Sequence, residues 1–314
     1  MADDLKYRED HHLISKIREV LRESGPKPGA WLSEKLPSEH PIKLWRACYL
    51  SQDILIHNCA RYYLRYDITR DNSLRLSPSI LRDFLTFSLI YLPEQRLVAL
   101  ELGTFNANEF RKISLRKLSF ARKALLRLSV HLQDEIMKCC SVFLSGDIAY
   151  YLAHDTPRMH KTMNVSICGS DIDIVIVNNF EANSDYMNEI EEELLKVKAL
   201  YLANADIREE LDFIVKPLSR MLNQLSYGDI HQKIASKILY ESVFCMGRHD
   251  IYQSLMQNLQ ISGAREKIER DFNVALFERK ETIRKILDLS HEQITQEEDV
   301  SSLFYASQER LEFT

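Results

Sequence analysis

The stretch that most constrains this chain is Gly169-Ser170-Asp171-Ile172-Asp173-Ile174-Val175-Ile176-Val177. Its β-branched, nearly continuous apolar run reads as a buried strand, so two carboxylates at its mouth need a reason. Side chains alternate along a strand, which sends Asp171 and Asp173 to one face and Ile172 and Ile174 to the other. Acids side by side against a buried strand repel each other unless a cation or a donor sits between them. A hard divalent ion held by oxygen ligands, Mg²⁺ or Mn²⁺, is the economical partner.

Upstream, Ser141-Val142-Phe143-Leu144 is a second apolar strand, broken by Ser145-Gly146 and followed by a helix-like run over residues 147–153. A strand, a glycine turn and a helix N-terminus together offer unpaired N–H groups to an anion. A phosphate cradle one strand from a carboxylate pair suits phosphoryl transfer, in which metal-borne charge stabilises the phosphate oxygens.

In this order of parts the chain resembles the nucleotidyltransferase superfamily, and over about residues 140 to 256 its abortive-infection AbiEii-type toxins. The resemblance is carried by the Ser145-Gly146 turn, the Asp171-Ile172-Asp173 strand, Asp212 in Glu210-Leu211-Asp212-Phe213-Ile214-Val215-Lys216, Lys237 in Ile234-Ala235-Ser236-Lys237-Ile238-Leu239, and Gly247-Arg248-His249-Asp250-Ile251-Tyr252. It implies an α+β fold, a small mixed sheet flanked by helices with helical N-terminal and C-terminal regions. It also implies Mg²⁺- or Mn²⁺-dependent transfer of a nucleoside monophosphate from an NTP to an RNA (tRNA) or protein hydroxyl, with pyrophosphate leaving. Asp171, Asp173 and Asp212 would hold the metal, with Asp212 alternatively drawing the acceptor's proton. Ser145, Gly146, Ser170 and Lys237 would hold the nucleotide, and Lys237 and Asp250 would join the aspartates in catalysis. A toxin–antitoxin or phage-defence role, with a cognate antitoxin as partner, comes with the resemblance.

Asp147 departs from it, standing where the superfamily has serine or threonine. A carboxylate there either caps the following helix or repels a triphosphate. The opposing expectation is therefore a catalytically inactive nucleotidyltransferase-like binding module. A third class is an interaction protein acting through its helical N-terminal third.

The remaining chain is read around this centre as three regions: helical over 1–135, a catalytic core over 136–217, and helical over 218–314. Only eight glycines occur in 314 residues, which favours helix and makes each glycine informative. A net charge of −5 excludes a global attraction to nucleic acid, so any basic surface is local. The helix expected over 106–140 carries such a stripe, Lys112, Arg116, Lys123 and Arg127, suited to an RNA backbone. Helices are expected over 10–24, 38–66 and 184–203, with turns at Gly25-Pro26-Lys27-Pro28-Gly29 and Asp71-Asn72-Ser73 and a polar stretch over 295–302. No run approaches the roughly 18 apolar residues of a membrane span. The charged N-terminus is unlike a signal peptide, and six scattered cysteines read as reduced thiols, so the cytoplasm is the expected location.

Overall fold

The computed structural model describes residues 2–67, 73–160, 163, 165–179, 185–289 and 293. The turn expected at Asp71-Asn72 and the polar stretch 295–302 lie outside the described residues. The protein is α+β and divides into two compact units. One comprises residues 1–63, 75–108 and 274–314, the other residues 64–74 and 109–273. This division differs from the three consecutive regions expected, because the last part of the helix Ala264–Asp288 packs with the N-terminal helices: Ile286 shares a core with Ile17, Leu21, Trp45 and Phe84.

In the first unit, helices Ala2–Ser24, Gly29–Lys35 and Pro41–Leu50 accompany an antiparallel three-stranded sheet of Lys27–Pro28, Ser88–Tyr91 and Leu55–Asn58, in that order. Pro41 opens the third helix, where its missing N–H is not needed, and the His40 side chain accepts from the Ile42 N–H. The helix expected over 38–66 ends at Leu50, and Leu55–Asn58 and Tyr63–Asp67 are strands. Pairing with an apolar partner, Ile56 opposite Ile90, overrides the local periodicity.

The second unit is built on a mixed sheet. Its strands are β1 (Cys140–Leu144), β2 (Ile172–Asn178), β3 (Leu211–Pro217) and β4 (Val243–Gly247), in the spatial order β3-β2-β1-β4. β2 and β3 run parallel, and β1 is antiparallel to both β2 and β4. Helix Asp185–Ala203 links the parallel pair, as a parallel connection requires. Ile172, Ile174 and Ile176 join Val142, Leu144, Leu211 and Val215 in a core with Leu132, Ile136, Ile190, Leu194 and Tyr201. Strand alternation therefore sends Asp173 and Asp212 to the opposite face.

The single helix expected over 106–140 is two, Arg96–Leu125 and Val130–Cys139. The break is satisfied by the Gln133 side-chain amide, which donates to the orphaned carbonyls of Leu126 (3.1 Å) and Leu128 (2.7 Å). Among the described residues no helix is long and apolar enough to cross a membrane, and the six cysteines are free thiols.

Candidate active site

Asp173 is the second residue of β2, and its register partner on β3 is Asp212. Parallel neighbours in register present their side chains on one face at one level, so the two carboxylates stand together. Beside them is the turn after β1. Gly146 has φ +69°, and a Cβ built on it would lie 2.7 Å from Asp173 Oδ2. Only glycine lets the backbone come this close.

The electrostatics follow from that crowding. The Asp173 carboxyl is pushed up to about 7, first by burial, then by the charge of Asp212 and next by Asp147; Lys237 opposes the shift and Glu241 adds to it. Asp171 is not among those influences. It is ion-paired with Arg158, whose Nη2 also reaches Glu210 Oε2 at 2.7 Å. Asp171 precedes the first residue of β2, and its cation comes from the strand Pro157–Met159.

The helix expected over 147–153 is a single turn of 3-10 helix, Gly146–Ile148. The chain then closes back, with the Leu152 N–H donating to the Asp147 carbonyl at 2.9 Å. The anion site built on a helix N-terminus is thereby corrected, because three residues align too few dipoles to present one. Asp147 lies inside this turn, whose N-cap is Ser145; its Oδ2 accepts from the Ser170 hydroxyl at 2.7 Å, and its charge acts on Asp173. The Ser170 hydroxyl in turn accepts from the His154 N–H at 3.2 Å. The Ser145 N–H donates to the Asp173 carbonyl at 3.2 Å, tying the turn to β2.

Lys237 reaches this face from helix Ile230–Tyr240, which opens on a capping box: Asp229 Oδ1 accepts from the Gln232 N–H at 2.9 Å, and Gln232 Oε1 from the Asp229 N–H at 3.3 Å. Lys237 is buried, and its Nζ meets Glu241 Oε1 at 2.5 Å, the (i, i+4) spacing of one helix face. Burial pushes the Glu241 carboxyl up, while Lys237, Tyr150 and the Gly146 backbone N–H hold its charge.

The other expected residues are placed as follows. Asp212, half exposed, is ion-paired with Lys198 from helix Asp185–Ala203. Asp250 pairs with Arg248, Nε to Oδ1 at 2.7 Å, which holds its carboxyl at about 2; it is not brought to Asp173. Lys112 pairs with Glu109, Arg116 with Asp155, and Lys123 lies over the Phe120 ring, so part of the basic stripe is already satisfied. The residues missed from the sequence are Arg158, Lys198 and Glu241. Of these only Glu241 carried a local signal, its (i, i+4) spacing from Lys237.

Burial first, then the charges of Asp212 and Asp147, raise the Asp173 carboxyl, a repulsion that an oxygen-seeking cation would relieve. Among the described residues no group of three or more His, Cys, Asp or Glu side chains is arranged to hold a metal ion. No family model, curated protein or solved structure matches the chain.

Proposed function

We propose that the second unit transfers a nucleoside monophosphate from an NTP to a hydroxyl of RNA, tRNA included, or of a protein, in the manner of the nucleotidyltransferases it resembles. The observation that carries this reading is the Asp173–Asp212 register pair with the Gly146 turn packed against Asp173 Oδ2. Asp173, Asp212 and Asp147 would hold Mg²⁺ or Mn²⁺, which supplies positive charge to the phosphate oxygens when bound. Asp212, half exposed, draws the proton from the attacking hydroxyl at a carboxylate oxygen. Lys237 lies beside the carboxylates and offsets charge developing on the transferred phosphate. The toxin–antitoxin or phage-defence setting, and an antitoxin partner, rest on the resemblance alone.

A second reading, a non-catalytic module of the same fold, is favoured by one specific observation. Lys198 and Arg158 already hold Asp212 and Asp171. Incubation with each of four α-³²P NTPs, Mn²⁺ or Mg²⁺ and total RNA separates the two. Label on RNA or on protein, lost in Asp173→Asn, supports transfer; nucleotide binding without label supports the module.

A further inference from the structure

Two cations from different elements grip the same two chain segments just upstream of the acidic strands. Lys117, on helix Arg96–Leu125, donates from Nζ to the Cys168 carbonyl at 2.8 Å and is ion-paired with Glu209. Arg158 repeats the pattern one residue further along both segments. Its Nε donates to the Gly169 carbonyl at 2.8 Å, and its Nη2 meets Glu210 at 2.7 Å as well as pairing with Asp171. Residues 168–169 and 209–210 are thus joined twice, each cation taking a carbonyl from the first segment and a carboxylate from the second. Two backbone bonds run alongside, Cys168 N–H to the Arg208 carbonyl at 2.8 Å and Ile172 N–H to the Glu210 carbonyl at 2.9 Å.

The Lys117 and Glu209 side chains are 0% and 1% exposed, and Arg158 is 10% exposed. Burying charge is costly, and an apolar pair of similar volume would hold two segments together as firmly. The buried apolar face already forbids a one-residue slip but repeats every two residues, whereas hydrogen bonds to one particular carbonyl exist at one strand offset only. That offset matters here, because slipping β2 against β3 by two residues would keep the apolar face buried yet carry Asp173 and Asp212 to different levels.

We propose that Lys117 and Arg158 are positioning residues, a two-cation clamp that sets the offset of the parallel strands so that Asp173 and Asp212 arrive side by side. The purpose of that alignment rests on the nucleotidyl-transfer reading; the alignment itself is measurable without nucleotide.

The test uses the full chain as Lys117→Met/Glu209→Met and, on the less buried arm, as Arg158→Gln. Three quantities are read: the thermal midpoint, amide hydrogen exchange at Cys168 and Ile172, and Mn²⁺ affinity by electron paramagnetic resonance. The double variant is expected to keep its midpoint while both amides exchange faster, and Mn²⁺ affinity in each variant falls by about 10-fold or more, the usual effect of removing a group that orients metal ligands. A merely structural pair would be rescued by the apolar replacement in all three quantities. Wild-type exchange at both amides in folded variants overturns the clamp. Faster exchange in variants of a wild type that itself binds no Mn²⁺ upholds the clamp and removes the nucleotidyl-transfer reading instead.

Discussion

Asp173 and Asp212 are register partners on two parallel strands, and burial, with the charge of Asp212 adding to it, raises the Asp173 carboxyl to about 7. An unfolded aspartate titrates near ~3.9, so the native state binds the extra proton between about pH 4 and 7. The stability Asp173 contributes is fully present below about pH 4 and is lost as pH rises through 7. Urea unfolding across that window should show stability falling with pH by up to about 1.4 kcal/mol per unit from this group. Asp173→Asn should flatten the slope and be the more stable protein at pH 8. An unchanged slope would remove Asp173 as the titrating group.

Adding Mg²⁺ at pH 7 should stabilise the wild type more than Asp173→Asn, since a ligand raises stability only through the native state it binds. Removing the ion with EDTA should reverse the gain. Equal shifts in the two proteins would show that Asp173 is not a ligand.

Gly146→Ala tests the turn. The residue sits at φ +69°, where an L side chain costs about 1–2 kcal/mol, and the new methyl would meet Asp173 Oδ2. A loss of at least about 1 kcal/mol in chemical denaturation is expected, together with weaker Mg²⁺ stabilisation as Asp173 is displaced. Wild-type behaviour in both measurements would mean that the turn does not shape the site.

Lys237→Met leaves Glu241, whose side chain is 1% exposed, without its cation. Breaking a buried pair from one side costs about 3–5 kcal/mol. The Glu241 carboxyl is already raised by burial, so the loss should shrink as pH falls and it takes up a proton. Lys237→Met/Glu241→Gln should recover most of the stability at pH 8 but not the transfer activity. A full recovery of activity would exclude Lys237 from any role toward the nucleotide.

The first unit carries its own buried charge pair. Asp83 accepts from Asn58 Nδ2 and the Tyr62 hydroxyl, each at 2.6 Å, and meets Arg279 Nη2 at 3.0 Å. Asp83→Leu strands Arg279, 9% exposed, and should cost about 3–5 kcal/mol, whereas Asp83→Leu/Arg279→Met should cost much less. Calorimetry of the two variants measures the difference, and equal losses would mean that packing rather than charge decides this core.

The strand β2, its alternation of aspartate with isoleucine and the strand β3 around Asp212 were legible because each depends on neighbours a few residues away. Which carboxylates meet was decided elsewhere. Asp171 and Asp173 stand two residues apart, yet Arg158 holds the first from 13 positions upstream while the second faces Asp212, 39 positions downstream. For Asp147 the sequence leaves two roles open, a helix cap or a charge set against a triphosphate, whereas the tertiary structure closes the chain beyond it into one turn and gives its carboxylate the Ser170 hydroxyl. Lys117, on the same helix as the basic stripe but not part of it, lies fully buried against Glu209. Local propensity follows from the covalent chain, whereas a charge takes its partner from whatever the packed strands bring within reach, and no local pattern encodes that distance.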